Sequence, residues 1–361
     1  MAFTLKSYPV TYRAKYSAGK WDSEYMEKPH ETPAAEAEMS PGERERLECL
    51  RNSYDDVPLV NYTSQYGMGC FEGLKAFPQK DGGMAIFRID RSASRFARSM
   101  AGLKMPSFPE AAFVESCAEI VRRNANLGFR PRYDREWEKN SFMTADSAYI
   151  RPFTIAESGI GVNLSQEPWV FVISTPVSAY FSGGNSDAVV TDRIRATAKG
   201  TGWIKATANY AIAALAKSEA AEAGYMECVF LDAAHRKYVE EGSSCNIFFY
   251  LKSGELVTPE LGDTILPGIT RASIIELARD RGVRTSERRI SIEEALEETQ
   301  ECFVSGTAAG AVPITSLTWN DRKAVFNGGK VGGFSADIQN TIKGIQYGTL
   351  PDTKGWMTPV L

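Results

Sequence analysis

Hydrophobic positions along the chain fall into short blocks whose spacing alternates between that of strands and that of helices. Met84-Ala85-Ile86-Phe87 is an unbroken apolar run after an Asp-Gly-Gly turn, and it predicts a strand. Helical spacing follows over 92–101 and 110–127, where Phe113, Cys117, Ile120 and Val121 share one face. Strands are expected at 149–151 and 168–175. An Ala-rich helix over about 209–223 stops at Gly224, because a glycine relieves the left-handed turn that ends a helix. Beyond it, 228–231, 247–251, 255–258 and 302–305 read as strands, and 269–281, 292–299 and 335–345 as helices. Residues 1–60 lack this rhythm and read as irregular, with the Pro/Ala/Glu stretch 29–41 as an exposed connection. The polar, glycine-bearing segment 156–164 marks a linker. Two mixed α/β domains are therefore expected, over 1–155 and 165–361, with no internal repeat.

Composition narrows the function classes. A chain of 361 residues exceeds what one core usually organises, and 43% hydrophobic with 24% charged residues is a soluble globular balance. The net charge of −4 gives no basic footprint for nucleic acid, so no such partner is expected. No apolar run approaches the ~18 residues that would span a bilayer. Only two histidines, His30 and His235, are present, which removes a His-rich metal site and leaves little for a Ser-His-Asp triad. The six cysteines never reach CxxC spacing, so zinc and iron–sulfur motifs are absent and no metal is expected. Scattered single thiols fit a reducing compartment, and a cytoplasmic protein is expected.

Three glycine-bearing segments could cradle an anion with backbone N–H groups. Residues 66–73 (YGMGCFEG) miss the dinucleotide spacing by one residue, and 199–205 (KGTGWIK) lack the ending of a P-loop. The third is Pro267-Gly268 before a helix. Each, taken singly, is equally an ordinary turn. Lys205 stands between a Gly-Thr-Gly turn and the Ala-rich helix, flanked by Trp203, Ile204 and Ala206. By residue chemistry alone two readings stand: a snorkelling surface lysine, or an amine in apolar surroundings that forms a Schiff base with an aldehyde.

Seven segments then occur in a familiar order: YGMGCFEGLKAF (66–77), FRIDRSASRFARS (87–99), AYIRPF (148–153), KGTGWIKATANY (199–210), YVEEGSSCNIFF (238–249), TILPGITR (264–271) and VSGTAAGAVPI (304–314). Together they resemble the class IV pyridoxal phosphate (PLP) aminotransferases, of fold type IV, and within them the branched-chain amino-acid aminotransferases. The resemblance implies a mixed α/β fold with a smaller N-terminal domain and a larger C-terminal pseudo-barrel domain carrying the Schiff-base lysine. It implies a homodimer acting on branched-chain amino acids, 2-oxo acids and glutamate.

The resemblance also assigns roles. Lys205 matches the lysine that carries PLP and shuttles the substrate proton. Tyr210 matches a tyrosine near the cofactor's phenolate oxygen, and Glu241 the carboxylate that keeps the pyridine nitrogen protonated. Asn246, five residues on, fixes which glutamate is meant, leaving Glu240 as an ordinary surface acid. For the phosphate, Arg95, the first N–H groups of the helix at Ile269 and Thr270, and Thr307 match the family's positions. Arg88, Arg91 and Arg98 are read as a solvated helix face. For the substrate, Ala308 and Ala309 offer backbone N–H groups to a carboxylate, Tyr149 and Arg151 stand near it, and Tyr66 and Phe71 form apolar walls; core packing is an equal reading for those last two. Trp203 and Ile204 are bulkier than the residues many relatives carry there. Other class IV activities, on D-amino acids, (R)-amines or aminodeoxychorismate, share this cofactor chemistry.

Overall fold

The computed structural model describes residues 5–178, 186–307 and 310–361. Two units emerge: Met1–Tyr180 with Ala206–Ala208 and Gly344–Leu361, and Phe181–Lys205 with Asn209–Lys343.

The first unit is built on one antiparallel sheet. Its strands are β1 (Val10–Ser17), β2 (Lys20–Glu27), β3 (Leu74–Pro78), β4 (Met84–Phe87), β5 (Ser147–Ile155), β6 (Trp169–Val177) and the C-terminal strand Met357–Pro359. In space they run C-terminal strand, β4, β3, β5, β6, β1, β2. Strand side chains alternate between faces. One face, through Tyr12, Ala14, Ala76, Ile86, Ile150, Val170 and Val172, joins a buried core with Ile89, Ala93, Phe96, Phe113, Cys117 and Ile120. Those helical positions recur at three and four residues, which is the apolar stripe read from the sequence.

The stretch expected to be irregular is ordered. Besides β1 and β2 it carries the helices α1 (Pro33–Glu38) and α2 (Pro41–Arg51), the latter opened by a Ser40/Glu43 capping box with Pro41 in its first turn. Arg51, 2% exposed, fastens the region. It pairs with Glu36, donates to the Ser7 and Pro29 carbonyls at 2.7 and 3.1 Å, and lies over the Phe129 ring. Three further helices complete this part of the chain, α3 (Tyr62–Tyr66), α4 (Ile89–Gly102) and α5 (Glu110–Asn126).

The expected division of the chain differs from the one observed. The segment 156–164 joins β5 to β6, and those strands pair from Ser147↔Val177 to Ile155↔Trp169 in one sheet. The unit boundary falls after Tyr180, and with the C-terminal residues added the first unit holds more of the chain than the second. A polar glycine segment is as good a strand connection as a linker, so composition alone could not tell them apart.

In the second unit the strands are β7 (Asp187–Val190), β8 (Glu227–Leu231), β9 (Val239–Gly242), β10 (Asn246–Leu251), β11 (Leu256–Thr258), β12 (Thr285–Glu287), β13 (Thr299–Gly306), β14 (Gly310–Ile314), β15 (Ser316–Trp319) and β16 (Arg322–Val325). They form two mixed sheets, β12-β11-β10-β13-β14 and β16-β15-β7-β8-β9. Val229 and Leu231 of β8 share a core with Ile247 and Phe249 of β10. The opposite face of β8, Cys228 and Phe230, takes Ala216 and Ala220 of helix α6 (Asn209–Glu222). Small alanines one turn apart let that helix lie close to the strand. Helices α7 (Ile269–Asp280), α8 (Ile292–Glu298) and α9 (Gly333–Gln346) follow.

Candidate active site

Lys205 closes a loop whose shape is fixed by its neighbours in the second unit. Asn209, the first residue of α6, donates to the Thr201 and Ile204 carbonyls at 2.7 and 3.0 Å and accepts from the Thr201 hydroxyl at 2.8 Å. Ile204 is buried beneath the loop. The half-buried Lys205 amine then donates to the Tyr210 hydroxyl at 2.8 Å.

Strand β9 carries Glu241, which is 3% exposed. Its Oε1 lies 2.7 Å from Arg195 Nε. Its Oε2 accepts from the Leu266 N–H at 3.2 Å and from Asn246 Nδ2 at 3.3 Å. Burial pushes this carboxyl up to about 7, against the lowering pull of Arg195 and the Leu266 N–H, while Glu240 adds to the rise. Arg195 was not found from the sequence. The available signal was the chemistry itself, since a buried carboxylate requires a cation or donors, and Arg195 is ten residues before Lys205. Glu240, expected on the surface, is buried and accepts from the Thr264 hydroxyl at 2.6 Å. Adjacent residues of a strand face opposite ways, and here both ways lead inward.

Helix α7 begins after Gly268 with no side chain capping its first N–H groups, which include those of Ile269 and Thr270. An added Cβ at Gly268 would fall on Asn246 Oδ1, so only glycine fits this approach. Thr307 follows β13, against which α7 packs. Ala308 and Ala309 lie outside the described residues.

The remaining candidates belong to the first unit. Arg95 on α4 is 5% exposed and forms a two-pronged pair with Glu72, its Nε donating to Oε2 at 2.7 Å and its Nη2 to Oε1. Of the neighbouring arginines, Arg91 and Arg98 are exposed as expected, but Arg88 is buried with its guanidinium over the Trp356 ring. Alternation along β5 puts Tyr149 and Arg151 on the sheet face away from α4 and α5. Arg151 donates to the Tyr149 hydroxyl at 2.9 Å and sits over the Phe71 ring at 4.5 Å. Gly73 makes room, since a Cβ there would fall on the Tyr149 hydroxyl. Phe71 is half-buried and Tyr66 is 42% exposed, so neither is a core residue.

An uncapped helix start for an anion, a lysine amine beside a phenol, and a buried carboxylate held by an arginine are the donor set of a phosphate-bearing aldehyde cofactor with a basic ring nitrogen. Among the described residues no helix is long and apolar enough to cross a membrane, and no His/Cys/Asp/Glu group could hold a metal ion.

Comparison with known proteins agrees with this chemistry. Residues 69–317 match the family "Amino-transferase class IV". A probable branched-chain-amino-acid aminotransferase of Staphylococcus aureus is 39% identical over 305 residues, covering 82% of this chain and 81% of the relative. The branched-chain-amino-acid aminotransferase of Mycobacterium tuberculosis is 39% identical over 304 residues, covering 81% and 80%. Among solved structures, the branched-chain amino acid aminotransferase from Thermobaculum terrenum in its PLP form superimposes with a TM-score of 0.71 at 28% identity, over 85% of this chain and 94% of that one. The chain belongs to the class IV aminotransferases.

Proposed function

We propose that this aminotransferase interconverts L-leucine, L-isoleucine or L-valine with their 2-oxo acids, using 2-oxoglutarate and glutamate as the other pair and PLP as cofactor. The Lys205–Tyr210 contact and the buried Glu241–Arg195 pair, within one unit, support the cofactor chemistry, and the likeness to branched-chain-amino-acid aminotransferases carries the substrate class. When bound, PLP supplies an aldehyde that takes up the amino group and a ring that accepts electron density from the substrate Cα.

The protein's residues do the rest. Lys205 holds the cofactor and, once displaced by substrate, moves the proton at Cα. Tyr210, whose hydroxyl accepts from the Lys205 amine, stands at the cofactor's phenolate oxygen. Glu241 holds a proton at the ring nitrogen, and Arg195 keeps that carboxylate aimed. Thr307 and the N–H groups of Ile269 and Thr270 offer donors to the phosphate, and Arg95 is assigned to it by the family resemblance alone. Tyr149, Arg151, Ala308 and Ala309 receive the substrate carboxylate, with Phe71 and Tyr66 beside its side chain. An amine without a carboxylate would leave those donors unpaired, about 1–3 kcal/mol for each buried group.

The working form is a homodimer in the cytoplasm. Leu59, Ile160 and Val162 are 79–87% exposed on two loops joined by the Asn61↔Ser158 bridge, an apolar surface that a second copy would cover. All six cysteines are free, as in a reducing compartment. Sedimentation should give a dimer, and Ile160→Asp with Val162→Asp a monomer; a wild-type monomer refutes the assembly.

Initial rates with 2-oxoglutarate test the activity. All three branched L-amino acids should outpace D-alanine and (R)-1-phenylethylamine, and borohydride should fix the pyridoxyl group on Lys205. Faster turnover of D-alanine or the amine than of all three L-amino acids would overturn the substrate assignment, and a label on another lysine would overturn the site.

A further inference from the structure

Glu240 is an acid where packing would favour an apolar residue. It is 8% exposed, its Oε2 is buried without a hydrogen-bond partner, and the desolvation of a carboxylate is costly. Its remaining oxygen has one connection, the 2.6 Å hydrogen bond from the Thr264 hydroxyl.

That connection leads back to the adjacent glutamate. The Thr264 carbonyl accepts from Arg195 Nη1 at 2.8 Å, and Arg195 Nε lies 2.7 Å from Glu241 Oε1. Arg195 Nη2 donates to the Gly202 carbonyl at 3.3 Å. The chain of contacts therefore starts at one residue of β9 and ends at the next. Arg195 is planar, and its orientation is set jointly by the two carbonyls and the carboxylate. Gly202 packs directly on Thr264, since an added Cβ there would stand 2.6 Å from Thr264 Cα. The Trp203 N–H holds the Asp263 carbonyl at 3.0 Å, and the far side of Thr264 is held by its own hydroxyl. Without that anchor the peptide at 264 can turn, the guanidinium plane turns with it, and Glu241 loses its aim.

We propose that Glu240 is a positioning residue: by fixing Thr264 it holds the Arg195 guanidinium on Glu241. The inference rests on the reading of Glu241 as the carboxylate at the cofactor's ring nitrogen. It explains why a charged residue is kept on the inward face opposite Glu241, where it touches neither the amine nor the phosphate donors.

The test uses holoenzyme carrying PLP with a 15N-labelled ring nitrogen. Glu240→Ala and Thr264→Val remove the anchor, whereas Glu240→Gln keeps an accepting oxygen and Thr264→Ser keeps the hydroxyl. In the first two, kcat should fall about tenfold with KM within about twofold, the effect of one misplaced hydrogen bond. The ring-nitrogen resonance should move toward its unprotonated position. The two conservative variants should retain most of the wild-type kcat and resonance. Thermal unfolding of the apoproteins separates this from a merely structural role, which would lower Tm and leave the resonance in place.

An unmoved resonance in both Glu240→Ala and Thr264→Val would overturn the proposal, as would equal loss in Glu240→Gln and Glu240→Ala. Glu241→Gln keeps the two readings apart. If it shifts the resonance while the anchor variants do not, only the role of Glu240 falls; if Glu241→Gln itself shifts nothing, both fall.

Discussion

Each unit contains a buried arginine–glutamate pair, and the two pairs are built differently. Glu72 grips Arg95 with both oxygens, and its Oε1 also accepts the Gly73 N–H at 2.8 Å. Glu241 meets Arg195 through Nε, and its second oxygen has only the longer bonds from Leu266 and Asn246, at 3.2 and 3.3 Å. A two-pronged pair fixes a guanidinium in plane and orientation, which suits the phosphate contact proposed for Arg95. A one-pronged pair with long bonds on the other oxygen leaves a carboxylate able to exchange a proton, which suits the place at the ring nitrogen proposed for Glu241. In the first pair the acid serves the base; in the second the base serves the acid.

The largest effect that would break this contrast is on folding. Glu72→Ala takes the two-pronged partner from a buried guanidinium and should cost about 3–5 kcal/mol in urea unfolding of the apoprotein. A loss below about 1 kcal/mol would mean that the two-pronged pair is not what holds Arg95 in place.

The next is pH dependence in the second unit. Burial raises the Glu241 carboxyl from 4.5 to about 7, so between those values the folded apoprotein binds a proton that the unfolded chain has released. Stability from this group is complete below pH 4.5 and declines as pH rises to about 7, by roughly 3 kcal/mol in all. Denaturant unfolding across that range should show the decline, and Glu241→Gln should flatten it. An unchanged slope in the variant would place the titrating group elsewhere.

A smaller effect sharpens the other half of the contrast. Arg95→Ala should weaken PLP retention about 10- to 150-fold, the equivalent of ~1.5–3 kcal/mol, while Arg98→Ala should leave it near wild type. Equal PLP affinity in the two variants would mean that the wrong arginine of α4 has been assigned.

How much of this was legible depended on whether a feature was local. The Met84–Phe87 strand matched its prediction, and the helices Glu110–Asn126 and Asn209–Glu222 ended within one residue of theirs, because apolar spacing and terminal glycines act within a few residues. Lys205 and Tyr210 were both picked out from one local segment, 199–210, but their contact was not anticipated. Residues 10–51 were not legible. Strand β2 is exposed or half-exposed along its length, and its turn uses Ala18 and Gly19, both at positive φ, rather than an Asn-Gly signal. Arg195 was missed and Glu240 was expected on the surface because their importance lies in partners 46 and 24 residues away, Glu241 and Thr264, and no spacing rule reports such distances. The same holds for 156–164, whose role depends on two strands finding each other in a sheet.

The place of β1 in the first unit bears on solubility. It lies between β2 and β6 and pairs with β6 from Tyr12↔Val172 to Lys15↔Trp169. Removing the N-terminal hairpin would turn β6, with the sequence WVFVISTPV, into a bare sheet edge carrying unpaired backbone groups. Such an edge is a template for another chain, and this one has no charged side chain to discourage pairing. The hairpin, which carries none of the proposed site residues, thus acts as an edge guard, and a trimmed protein would be expected to aggregate through β6.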